Sequence, residues 1–114
     1  MISDLWYILD EDGETPIAVS DMAAYMRWRT EHPPTEAPTA VGKTEVGDAE
    51  VSTVFLSHDH SWFGGPPILF ETMVFGGEWD QSQWRYHTKA QAVAGHDQVV
   101  AALRAAQDPN QAVP

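Results

Sequence analysis

The nine residues Pro67–Phe75 (P-I-L-F-E-T-M-V-F) constrain the fold more than any other stretch of this chain. They are rich in branched and aromatic side chains and too short for a core helix, so they read as a strand. Alternation puts Ile68, Phe70, Thr72 and Val74 on one face and Leu69, Glu71, Met73 and Phe75 on the other. Both faces are largely apolar. Such a strand belongs in the middle of a sheet, with cover on each side. Gly76-Gly77 ends it.

The rest of the chain supplies partners for that strand. Leu5-Trp6-Tyr7-Ile8-Leu9 and Pro16-Ile17-Ala18-Val19 predict a short hairpin around the acidic turn Asp10-Glu11-Asp12-Gly13-Glu14. The turn lacks the later ligands and closing Glu of a calcium loop, so a solvated turn is the expectation. Ser20 or Asp21 can cap a helix running to about Glu31, with Met22, Tyr25, Met26 and Arg29 on its packing side. Pro33-Pro34 stops it. Val41–Val46, Glu50–Ser57 and Gln83–His87 predict further strands. Thr88, with Gln91 three residues on, marks a capping box ahead of a last helix whose seam reads Val93, His96, Val100 and Leu103. The predicted class is α+β: an antiparallel sheet of about five strands with two helices on one side, in the order ββα-ββββα. One domain is expected over residues 1–107, with residues 108–114 as a frayed tail.

A length of 114 residues with 43% hydrophobic composition supports one real core and argues against disorder across the whole chain. With no Cys, disulfides, thiolate zinc sites and Cys nucleophiles are excluded for these residues. The first residues lack the basic and apolar pattern of a signal peptide, and no apolar run reaches bilayer length, which predicts a cytoplasmic protein without membrane contact. The formal net charge is −11. Residues 1–50 hold eleven acids against three bases, and the remainder six against three. A surface so acidic repels phosphate backbones and argues against direct nucleic-acid binding. It suits a partner protein with a basic surface, or simply keeps a small protein soluble.

Polar chemistry concentrates between His58 and Glu71 and at His96. His58 and His60 flank Asp59 at strand spacing, a pattern that can hold a transition metal and also arises by chance. Glu71 falls among apolar residues and needs compensation. Arg85 on a neighbouring strand would supply it as an ion pair; a ligand, metal or catalytic proton are the alternatives. His96 follows a mid-helix Gly95, which costs about 1 kcal/mol relative to alanine and would allow a strand or ligand to approach closely. His60, Glu71 and His96 would make a two-His, one-carboxylate site for a divalent transition metal if they met, and otherwise no cofactor is expected. Asp59, His60, Glu71, Arg85 and His96 are thus the candidate ligand-binding residues. Trp62, Phe63, Trp79 and Trp84 could form an aromatic wall or serve as packing. Phosphate-loop, nucleophile-elbow, zinc-protease and dinucleotide signatures are all missing.

From Val51 onward the chain resembles a family of small proteins encoded by tailed bacteriophages, mainly of actinobacteria. The resemblance is carried by V-S-T-V-F-L at Val51–Leu56, Asp59-His60, G-P-P-I-L-F-E-T-M-V-F at Gly65–Phe75, Arg85-Tyr86, Thr88 and Ala94-Gly95-His96. It covers about half the chain. Ser57 stands where the pattern usually has Gly, and His58 and His87 also depart from it, which shifts the expected site toward Asp59, His60, Glu71 and His96. The resemblance implies a phage or prophage origin. Three functions are compatible with these readings. One is a non-enzymatic accessory protein that binds a host or defence protein, or sequesters a small polar molecule. Another is a small metal-dependent hydrolase or lyase using His60, Glu71 and His96, with Asp59 or His58 as base. The third is a structural or morphogenetic phage protein.

Overall fold

The computed structural model describes residues 6–61 and 65–112. It is α+β, and the described residues form six strands in two antiparallel sheets. Strands β1 (Trp6–Leu9) and β2 (Pro16–Val19) form the predicted hairpin. Helix α1 (Met22–Glu31) follows, capped by Asp21, whose side chain accepts from the Ala23 N–H. Strands β3 (Ala40–Val46), β4 (Ala49–Phe55), β5 (Phe70–Phe75) and β6 (Gln83–Tyr86) then pair in sequence order. Helix α2 (Lys89–Arg104) closes the core, and a short α3 (Pro109–Ala112) follows it.

β5 is an interior strand, as its composition requires, but among the described residues only one of its faces is covered. Phe70, Thr72 and Val74 are fully buried beneath α2. On the other face Glu71 and Met73 are partly exposed and Phe75 is 48% exposed. The expected second cover is missing because α1 packs on the hairpin, Tyr25 against Trp6 at 4.9 Å, and meets the large sheet through Trp28 edge-on to Phe55. Phe55 faces the α2 side, so both helices serve the same side of the sheet. β5 is also shorter than predicted. Pro67 has no N–H to give, and the Ile68 N–H goes to the Asp59 carboxylate instead of a ladder.

Helix α1 buries Tyr25 and half-buries Trp28 and Arg29, while Met22 and Met26 are about half exposed, against the expected packing role of both methionines. Helix α2 carries the predicted capping box. Its buried face is Ala92, Gly95, His96, Val99, Val100 and Ala102, so the seam is rotated toward the small residues and Val93 is left 43% exposed. Small side chains let the helix sit close to the sheet, and the strand aromatics fill the space. Asp108 accepts from the Asn110 N–H at 2.9 Å and Pro109 is fully buried, so residues 108–112 form a docked turn of helix rather than a frayed end. Residues 113–114, Leu5, Trp62 and Phe63 lie outside the described residues.

Two apolar clusters lie under α2. Leu9, Phe55, Leu69, Phe70 and Ala92 form the first, with Tyr7, Trp28 and Tyr86 against it. Val51, Val74, Val99 and Val100 form the second, with Trp84 and Leu103. Trp84 therefore packs in the core and does not present a wall. The hairpin joins the larger sheet where Trp6 bridges His58 and the Tyr7 N–H donates to the Ser57 carbonyl at 2.8 Å. Ser57 sits at φ 66, a left-handed conformation that favours glycine.

Candidate functional site

The three residues expected to form a metal site do not meet. His96 lies on the covered side of the sheet. Glu71 points to the opposite, open face, because it alternates with Thr72, whose hydroxyl belongs to the His96 network. There Glu71 pairs with its cross-strand neighbour Arg85, Nε to Oε2 at 3.0 Å, so the ion pair is the compensation adopted. His60 sits in the loop after β4, with its Nδ1 2.8 Å from the His58 carbonyl. His58 packs on Trp6, with ring centroids 4.7 Å apart. Among the described residues no group of three or more His, Asp or Glu side chains is placed to hold a metal ion.

Asp59 is the knot of its loop. Its carboxylate accepts from the Ser61 N–H at 2.8 Å, the Ser61 hydroxyl at 2.9 Å and the Ile68 N–H at 3.0 Å. Burial pushes the Asp59 carboxyl up, but these bonds together hold it below its ordinary value of 3.8. Asp59→Ala should therefore cost about 2 kcal/mol at neutral pH, measured by urea unfolding. An unchanged midpoint would mean that the loop is held by something else.

His96 occupies the centre of a polar chain that crosses the whole sheet and is buried at its middle members, His96, Thr53 and Thr72. Its Nε2 is 2.9 Å from the Thr44 hydroxyl on β3, and its Nδ1 is 2.7 Å from the Thr53 hydroxyl on β4. Thr53 meets the Thr72 hydroxyl on β5 at 2.5 Å, and the Tyr86 hydroxyl on β6 donates to Thr72 at 3.1 Å. One self-consistent direction runs Tyr86 to Thr72 to Thr53 to Nδ1, with Nε2–H donating to Thr44. That direction needs a neutral imidazole. Burial holds His96 below its ordinary 6.5, against a weaker opposing pull from Asp97. Two glycines make the room. A Cβ at Gly42 would come within 3.1 Å of the His96 ring, and one at Gly95 would fall on the Tyr86 ring. The sequence signal for this chain is Thr53 and Thr72 in phase with buried Val51, Phe55, Phe70 and Val74. His96, Thr53 and Thr72 are buried and the end members Thr44 and Tyr86 half-buried, with every ring nitrogen and hydroxyl engaged, an arrangement suited to fixing strand register.

The concave surfaces lie elsewhere. One cleft of about 410 Å³ lies beside β6 and α2, lined by Arg85, Tyr86, His87, Gln91, Gly95 and Gln98. Another, of about 370 Å³, opens between the hairpin and the end of α1. Its lining includes Ile8 and Ile17, direct partners across the hairpin, with Trp28, His32, Asp10 and Glu11. Trp28 and His32 stack at 4.4 Å with planes 16° apart, and His32 Nδ1 is 2.8 Å from the Trp28 carbonyl. Sequence reasoning missed this cleft. Its signal was the four-residue spacing of Trp28 and His32, which puts both rings on one helix face opposite the acidic turn.

The acidic turn is itself ordered. Asp10 Oδ1 accepts from the Glu11 N–H at 2.7 Å, and Asp12 accepts from Glu14 N–H, Thr15 N–H and the Thr15 hydroxyl. Lys89 at the start of α2 donates to the Gly13 carbonyl at 3.1 Å and ties the turn to the body. Among the described residues no helix is long and apolar enough to cross a membrane. No protein-family model matches the chain, and no curated protein or solved structure matches it.

Proposed function

We propose that this chain is a bacteriophage accessory protein that acts by binding, masking a basic surface on a host or defence protein in the infected cell. The observation that carries this reading is the hairpin tip. Asp10, Glu11, Asp12 and Glu14 are all exposed there, on a turn stiffened by its own hydrogen bonds and by Lys89. A rigid cluster of like charge accelerates encounter with a basic partner and loses little entropy on docking. The resemblance to phage proteins and the net charge of −11 support the same reading.

The experiment is affinity capture from an actinobacterial lysate, with Glu11→Lys/Glu14→Lys alongside the parent. The parent should retain a nucleic-acid-binding protein that salt releases, and the captured protein should lose its DNA or RNA binding when complexed. The charge-reversed variant should retain none of it. Equal capture by both proteins would sink the masking reading.

A further inference from the structure

We propose that the cleft between the hairpin and the end of α1 seats a single arginine side chain of the partner. This rests on the masking reading and names its recognition element. Four features converge on a cation with an apolar stem and a flat head. Ile17, 39% exposed, and Ile8 beside it offer an apolar wall to the stem. The stacked Trp28 and His32 rings offer an aromatic surface, against which a guanidinium packs better than a compact ammonium. Asp10 and Glu11 line the same space with carboxylates, which a guanidinium can meet through two parallel hydrogen bonds. The cleft also lies at the C-terminal end of α1, where His32 is the cap residue and the helix presents its negative pole.

The volume fits the assignment. About 370 Å³ is at the small end of ligand clefts, room for one long side chain rather than a folded segment. An anionic group would have to approach the Asp10 and Glu11 carboxylates, which line the same space. A purely apolar residue would make no use of the two carboxylates.

The test is a titration of the isotope-labelled chain with a short blocked peptide carrying paired arginines, and with its lysine and citrulline counterparts, followed by amide and indole resonances. The arginine peptide should shift Trp28, His32 and Ile17 selectively and bind about fivefold tighter than the lysine peptide. The citrulline peptide, neutral but isosteric, should not bind. Ile17→Ser and Glu11→Gln, both at exposed positions, should each weaken the arginine peptide about fivefold while leaving the rest of the spectrum in place. Equal binding of lysine and arginine peptides, with shifts spread over the acidic surface, would overturn the cleft and leave the masking reading standing. Failure of every cationic peptide to bind, even at low salt, would overturn both.

Discussion

Gly95→Ala is expected to melt about 10 °C or more below the parent chain, a loss of about 3 kcal/mol. Helix propensity alone gives the opposite sign, since alanine is favoured over glycine by about 1 kcal/mol inside a helix. Packing decides the outcome. The added Cβ would sit 2.5 Å from Cε1 and Cζ of Tyr86, and closer still to its hydroxyl. That ring cannot swing away cheaply, because its hydroxyl is committed to Thr72 and its body packs against the first core cluster. The helix must lift instead, and lifting exposes Ala92 and Val99. Truncating Tyr86 in the Gly95→Ala background should therefore cost clearly less than truncating it in the parent, a coupling of about 1 kcal/mol or more in a double-mutant cycle. A Gly95→Ala protein that melts higher than the parent would show that α2 does not rest on Tyr86.

His96→Ala should cost about 3 kcal/mol in urea unfolding at pH 7.5. It strips partners from two hydroxyls, Thr44 and Thr53, and opens a cavity between the two apolar clusters. The pH dependence has a definite sign. His96 is held below 6.5 in the folded chain, so below that pH the unfolded chain takes up a proton that the folded chain refuses. Its contribution is fully present above pH 6.5 and is lost progressively as pH falls from there toward the depressed folded value. The slope cannot exceed about 1.4 kcal/mol per pH unit. Asp12 and Asp59 act in a separate, lower window. Their folded values lie below 3.8, so their contribution is present above that pH and lost beneath it. Unfolding midpoints at pH 7.5 and 5.5 should therefore fall further in the parent than in His96→Ala, which shares the same changes in overall charge. Parallel falls in the two proteins would mean that His96 does not titrate with folding.

The element order was legible because turn chemistry and periodicity agreed along most of the chain. Gly13, the Pro33-Pro34 pair, Gly76-Gly77 and the Thr88–Gln91 box each fell where the structure turns or starts a helix. The packing faces of both helices were legible only in part. In α2, the spacing of Val93, His96, Val100 and Leu103 placed Val93 in the seam instead of Ala92 and Gly95, whereas close approach to the Tyr86 ring selects the small ones. In α1, Met22 and Met26 have the right spacing, but the hairpin is too small to cover them once Tyr25 and Trp28 are placed.

The candidate site fared worse, for a geometric reason. Glu71 and His96 look compatible in one dimension, yet strand alternation sends them to opposite sides of the sheet as soon as Thr72 is assigned inward. Threonines in phase with valine and phenylalanine were the missing clue to where a buried histidine finds its partners. Arg85 on the neighbouring strand, by contrast, was among the compensations expected for Glu71, and the register that sets the two opposite one another came from the structure.

The chain of side chains from Thr44 to Tyr86 also bears on how the protein is made. A ribosome releases Thr44, Thr53 and Thr72 well before residue 96. Until that histidine emerges, the Thr44 and Thr53 hydroxyls on the inner face of the nascent sheet lack their imidazole partner, beside Phe55 and Phe70 without the cover of the last helix. Arrival of the last helix supplies the imidazole to both hydroxyls and brings Ala92 against the same cluster. Completion of this core is therefore expected to wait for its C-terminal quarter, and ribosomes stalled before His96 should hold a sheet that proteases and chaperones still recognise as unfinished.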